Sequence, residues 1–265
     1  MTVDNNIHVQ AGNKATPVAV TTQVILISWI LVVAATVLAQ LVSLAFGRSN
    51  EEQSFESIVL PSVLFLCALT FPLSGLGIVL GRQIGLGTPL LAAMLSNQSG
   101  CIKKLKSDAG VAILLGLVLG TVLLLVRMAT GPYLPAELPA FGHRGVIGGL
   151  SVSFGAAVAE EVWFRLGLTT ILIWFLSWSL GHREVRPAVG WTVIAMTSVG
   201  FGLAHLPQLM SYGAGSPFAI GGTIAGNSVV GILYGWCYWR RSLFAAIIAH
   251  FAVDLVLHVF PAIVQ

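Results

Sequence analysis

Seven runs of mainly apolar residues dominate the sequence, at positions 24–46, 58–80, 109–128, 146–180, 190–212, 218–239 and 243–260. An α-helix needs about 20 such residues to cross a bilayer, and each run reaches or nears that length. The fourth is long enough for a tilted helix, or for a helix followed by a bent or interfacial piece near Gly167. A soluble fold is excluded by the outer surface it would need. Of 265 residues, 56% are hydrophobic and 9% charged, against roughly a quarter charged in ordinary soluble domains. The expected fold is therefore all-α: a polytopic transmembrane helical bundle of about seven to eight helices, with the lipid bilayer as its first partner.

Three regions follow from the same pattern: a polar cytoplasmic N-terminal segment at 1–23, a first set of transmembrane helices at 24–144, and a second helical bundle at 145–265. The first apolar run exceeds the 7–15 residues of a cleavable signal core, so it reads as a span. If the fourth run crosses once, Lys14, Arg82, Lys103, Lys104, Lys106, Arg183, Arg186, Arg240 and Arg241 share one side. Only Arg48, Arg127 and Arg144 lie on the other. Cytoplasmic loops retain lysine and arginine, which puts the N-terminus in the cytoplasm and the protein in the cell (plasma) membrane. A formal charge of +3 without a basic, aromatic-interleaved stripe gives no reason to expect nucleic acid as a partner. Cys67, Cys101 and Cys237 have no metal-like spacing and read as small apolar fillers.

Acidic side chains inside a span cost a few kcal/mol each by insertion scales, about 2.5–3.5 at the centre, and persist where they face a protein interior or a water-filled cavity. Glu160, Glu161 and Asp254 are the acids that the runs place within spans, and Arg165, His205 and His250 accompany them, with His258 nearby. Residues four apart stack on one helix face, whereas adjacent residues diverge by about 100°. Glu161 therefore stacks with Arg165 and His250 with Asp254, while Glu160 points elsewhere into the bundle.

Three polar helix faces of this kind suit water activation. A carboxylate in a dry setting takes a proton from water, and a neighbouring imidazole positions that water. His250 with Asp254 would donate to the oxyanion of a tetrahedral intermediate. Alternatively a divalent metal such as zinc, held by Glu160, His205 and His250, would make the nucleophile. The sequence leaves both routes open. It speaks against three others. No histidine is followed by glutamate, so the zinc motif of membrane metalloproteases is missing. Asp254 is the one aspartate the runs place inside a span, and an aspartyl mechanism needs two. Ser151 and Ser153, between Gly149 and Gly155, match a nucleophile turn only loosely.

The motifs resemble those of the CPBP family of intramembrane proteases, which contains the type II CAAX prenyl endopeptidases and the bacterial Abi proteins. Glu160-Glu161-Val162-Trp163-Phe164-Arg165 is similar to that family's first motif, Phe201-Gly202-Leu203-Ala204-His205 to its second, and His250-Phe251-Ala252-Val253-Asp254 to its last. Asp254 is the less usual choice at a position where asparagine also occurs. The resemblance spans roughly 145–259 and makes 145–265 a catalytic helical bundle. It implies an endopeptidase acting on membrane-associated peptides or proteins, CAAX-like prenylated chains among them. In that reading Glu160 and His205 activate the water, Glu161 and Arg165 support them, and His250 and Asp254 form the oxyanion site. A carboxylate donates only when protonated, so Asp254 would instead orient His250 or join a metal.

Other readings compete. The pair Glu161 and Arg165 also fits a structural staple, and a lone His205 a satisfied core residue. A proton-coupled transporter would use the same polar residues as a relay. A non-catalytic membrane scaffold or immunity protein would use them to hold a groove. Gly222, Gly226, Gly231 and Gly235 suggest close helix packing along one span.

Overall fold

The structure is a computed structural model that describes residues 21–47, 55–182 and 184–264. Lys14, Arg48, Arg183 and almost all of the 1–23 segment lie outside the described residues. Among the described residues there is no strand, and seven helical runs are long and apolar enough to cross a membrane. The chain is an integral membrane protein built as a polytopic helical bundle.

Helix α1 (Thr22–Phe46) opens on Thr21, whose hydroxyl accepts from the Val24 N–H at 3.3 Å. It pairs with α2 (Phe55–Gly81), which tolerates Pro61 and Pro72 in its interior. The pattern of these helices is inverted relative to a soluble bundle. Large apolar side chains such as Ile30, Leu38, Leu64 and Phe65 face outward, while Ser28, Thr36, Thr70 and Ser74 are buried. The inward hydroxyls of Ser28, Thr36 and Ser74 return to the carbonyl four residues back, at 2.8, 2.9 and 2.6 Å, so these three donors are satisfied within their own helices.

A short buried helix, α3 (Pro89–Leu95), follows α2 and tucks under the bundle. The next helix, α4 (Cys101–Thr130), begins well before the apolar run at 109–128 and carries Asp108 inside the bundle. Asp108 is thus a buried acid on a spanning helix, at a position the apolar runs leave to a connecting segment. The charged stretch from Lys103 to Asp108 belongs to the first two turns of a span, because a helix continues past the hydrocarbon while its charges face water or each other.

The fourth run is one continuous helical stretch, Gly145–Ser179, built from α5 (Gly145–Glu160), a π-helical segment Glu161–Thr169 and α6 (Thr170–Ser179). Neither a second crossing nor a break at Gly167 is needed. A Cβ at Gly77 of α2 would run into the Leu166 carbonyl, so glycine is what lets α2 press against the π segment. Thr170 sends its hydroxyl proton to the Arg165 carbonyl at 2.9 Å. Its oxygen therefore accepts from the Tyr238 hydroxyl at 2.6 Å, which in turn accepts the Gly87 N–H at 2.9 Å. This relay ties the wide turn to the loop before α3.

The remaining helices are α7 (Pro187–Ala204), α8 (Leu206–Ser211), α9 (Pro217–Arg240) and α10 (Leu243–Asp254), the last continued by a second π segment, Leu255–Val259, and α11 (Phe260–Val264). Of the four glycines on α9, Gly231 and Gly235 do receive a neighbour, Ser198 and Ile194 of α7. Gly222 and Gly226 face open space, so the close-packed stripe covers only half of the expected length.

Candidate active site

Both helices that carry intramembrane acids change their hydrogen-bond pattern at those acids. The α5 ladder gives way to π turns at Glu161, immediately after Glu160, and the α10 ladder does so immediately after Asp254. A π turn holds one residue more than an α turn and often marks a functional position. Here it presents Glu160 and Glu161 to different neighbours.

Glu161 and Arg165 form the ion pair expected from their spacing, with Arg165 Nε 3.2 Å from Glu161 Oε2 and both side chains fully buried. Arg165 is the largest fully buried side chain among the described residues. Its guanidinium carbon sits 5.3 Å from the centroid of the Phe201 ring and 6.0 Å from that of Tyr234, so two aromatic faces supplement the carboxylate. The other oxygen of Glu161 lies 3.0 Å from His250 Nδ1. An ionised Glu161 accepts only, so a proton sits on His250 Nδ1, and Nε2 turns toward the remaining acids.

Glu160 points away from this pair. Its Oε2 is 3.9 Å from His205 Nε2 and 3.9 Å from His250 Nε2, is buried, and has no direct hydrogen-bond partner among the described residues. His205 sits where α7 ends and α8 begins, with Nδ1 2.8 Å from the Phe201 carbonyl. A carbonyl only accepts, so the Nδ1–H donates and Nε2 faces Glu160 as a lone pair. Asp254 Oδ2 is 3.6 Å from His250 Nε2, beyond hydrogen-bond range but on the same side as Glu160. The six residues Glu160, Glu161, Arg165, His205, His250 and Asp254 thus meet in one cluster. About a quarter of the Glu160 and His205 side chains is exposed, which leaves the cluster open on that side.

Zinc–nitrogen and zinc–oxygen bonds are about 2.0–2.2 Å long, so two groups 3.9 Å apart would subtend about 145° at the metal, far from tetrahedral. A water at about 2.8 Å from both groups subtends about 90° and fits without movement. Among the described residues no group of three histidine, cysteine, aspartate or glutamate side chains is arranged to hold a metal ion. The donors as they stand match a water and do not match a tetrahedral metal.

Two features of the cluster escaped the sequence. Tyr234 of α9 lies flat on the His250 ring, with centroids 4.5 Å apart and planes 12° apart. Phe201 contacts His205 edge-on at 4.7 Å and His250 at 6.0 Å, joining the two imidazoles through one ring. A tyrosine in an apolar span was the available signal for the first. Trp163 and Trp239 sit outside the cluster: Trp163 donates to Thr70 at 2.9 Å, and Trp239 lies under Arg240 at 3.9 Å. Of the serines, Ser151 donates to the Ile147 carbonyl at 2.7 Å, which is ordinary helix back-bonding.

Asp108 is the acid that the apolar runs misplaced. It accepts from Lys104 at 3.0 Å, from Arg241 at 3.4 Å and from the Ser242 hydroxyl at 2.9 Å. Ser242 also caps α10 by accepting the Ala245 N–H at 3.2 Å. Asp254 stands twelve residues further along that helix, about 18 Å away at an α-helical rise. The two aspartates therefore do not face each other, and no aspartyl dyad forms.

Comparison with the curated proteins and with the solved structures gives no match for this chain. Residues 143–256 match the family described as Type II CAAX prenyl endopeptidase Rce1-like, a stretch that closely follows the 145–259 expected from the motifs and contains all six clustered residues. In this C-terminal set of helices, a little under half of its length, the chain is similar to the Rce1-like type II CAAX prenyl endopeptidases.

Proposed function

We propose that the protein is an intramembrane endopeptidase of the glutamate type, hydrolysing peptide bonds of membrane-associated substrates, CAAX-like prenylated chains among them. The observation that carries this reading is the Glu160 carboxylate held 3.9 Å from two imidazole Nε2 atoms, with one oxygen buried and without a direct partner. In this reading one water lies between Glu160 and His205. Glu160 takes its proton as the water oxygen attacks the carbonyl carbon, and His205 Nε2 accepts the second water proton as a hydrogen bond. His250, as an imidazolium set among Glu160, Glu161 and Asp254, donates from Nε2 to the oxyanion. Asp254 is an orienting partner, since as a carboxylate it has nothing to donate. Collapse of the intermediate breaks the C–N bond as Glu160 passes its proton to the leaving amine.

The first test uses purified, detergent-solubilised protein and a library of membrane-associated peptides, with and without chelator and added zinc. Cleavage that survives the chelator is expected. Loss under chelator with recovery on zinc would instead assign Glu160, His205 and His250 to a metal, after a closure of the donors. His205→Ala is expected to lower turnover about a hundredfold, the small end of the range for a positioned acid–base group. In the same assay Tyr234→Leu is expected to lower kcat with little change in KM, because it frees the His250 ring without touching substrate. Wild-type protein that cleaves nothing across the library would favour the transporter or scaffold alternatives.

Lys104 and Arg241 share Asp108, so the start of α4 and the α9–α10 turn lie at one end of the bundle. Arg144 reaches Tyr212 at 3.3 Å at the other end. The proposed orientation puts the lysine-rich end in the cytoplasm of a plasma-membrane protein. A cysteine introduced at Glu137 should react with an impermeant reagent applied outside intact cells, and one labelled only after lysis would invert the topology.

A further inference from the structure

The cluster leaves one cavity without a role. It has a volume of about 240 Å³ and lies where α1, α3, α5 and α10 meet. Leu31, Leu90, Val158, Val162, Phe244 and Ile247 form its apolar walls, and Ser242 and Thr88 are its two hydroxyl-bearing residues. Val158 and Val162 lie two residues either side of Glu160, hence about 200° round the helix from it, so the cavity is not an extension of the catalytic cleft. Leu31 is 43% exposed, which opens one side of the cavity to the lipid. An apolar space of this kind does not hold water.

Charge marks one rim. Ser242 donates to Asp108, which also takes Lys104 and Arg241, so two cations and one anion stand beside the Ser242 wall. Both cations are about a quarter exposed, and Arg240 is exposed alongside. The uncancelled positive charge suits a phosphate at the level of the headgroups, each basic side chain there being worth about 1 kcal/mol toward anionic lipid.

We propose that this cavity is a lipid site that takes one acyl chain of an anionic phospholipid, with the lipid phosphate at Lys104 and Arg241. The acyl chain fills the space beside Val158 and Val162, which flank Glu160 and Glu161, and beside Ile247, one turn before His250. Its occupancy thereby props apart the two helices whose side chains meet in the Glu161 to His250 contact. The site stands on the cavity and the charges and does not depend on the protein being a peptidase.

The test uses the full-length protein in phosphatidylcholine nanodiscs doped with either phosphatidylglycerol or phosphatidylcholine carrying a photoreactive acyl chain, followed by mapping of the adducts. Adducts are expected on 31–35 and 244–247, about fivefold more with the phosphatidylglycerol probe, the ratio that one basic contact of about 1 kcal/mol supplies. Ala35→Trp, which fills the cavity from its wall, should remove these adducts while those on the outward face of α4 at Leu114 and Leu125 persist. Lys104→Gln should erase the preference for phosphatidylglycerol and keep the adducts. Equal yields with both probes in the wild type, or cavity adducts that survive Ala35→Trp, overturn the proposal.

Discussion

Glu160→Gln protein should cleave its peptide about a thousandfold more slowly than wild type, within the usual range for loss of a general base, and should unfold at the same temperature. Glutamine keeps the size and planarity of the side chain but does not take a proton from water. Folding is spared for a specific reason. Among the described residues Glu160 is paired with no arginine or lysine, and His250 keeps the Glu161 carboxylate at 3.0 Å, so neutralising Glu160 strands no buried countercharge. KM should change little, because the lost interaction belongs to the transition state. Paired measurements of kcat and of thermal unfolding check this. A variant that keeps more than about a tenth of wild-type kcat would take the role of base away from Glu160.

The opposite division of effects is expected one residue later. Arg165→Met leaves Glu161 charged and fully buried, and breaking a buried pair by removing one partner costs about 3–5 kcal/mol. Against a total stability of about 5–15 kcal/mol this is a large share, so the single variant should purify poorly and melt early. Glu161→Leu combined with Arg165→Met removes both charges and should recover much of that loss, since an apolar pair of similar volume commonly replaces a buried ion pair without penalty. Activity should not return. The double variant still lacks the carboxylate that meets His250 Nδ1 at 3.0 Å, and the imidazole loses its anchor. Recovery of stability together with full activity would reduce Glu161 and Arg165 to a packing staple, and an Arg165→Met protein as stable as wild type would deny them even that.

These two variants also separate what the sequence made legible from what it did not. Lipid makes a buried charge expensive, so Glu160, Glu161, Arg165 and Asp254 stood out from an apolar background, and helical spacing sorted Glu161 with Arg165 and away from Glu160. The structure brings all of them together with His205 and His250. Asp108 was missed for the same reason inverted: surrounded by Lys103, Lys104 and Lys106, it looks solvated, and only the fold brings Arg241 and Ser242 to it from 133 and 134 residues away. Tyr234 was missed because an aromatic residue in a span is ordinarily an apolar filler or an interface anchor. Its value lies in the parallel contact with His250, a property of two helices at once. The π segments were beyond reach because they are a choice of backbone pairing that side-chain periodicity over a few residues does not determine.

A bilayer measures a helix in ångströms, whereas an active site counts it in residues. In most spans the two measures are locked together, so a side chain cannot be added to a membrane crossing without lengthening it or turning every later residue to a new face. The π turns after Glu160 and Asp254 loosen that lock, because they admit extra residues at points where the ladder is already rearranged. The lipid-facing ends of these helices and the five clustered residues that they carry therefore answer to different constraints. Variation in hydrophobic thickness at the ends can be absorbed without altering which atoms meet in the cluster, and the wide turns are the joints at which the two requirements are kept apart.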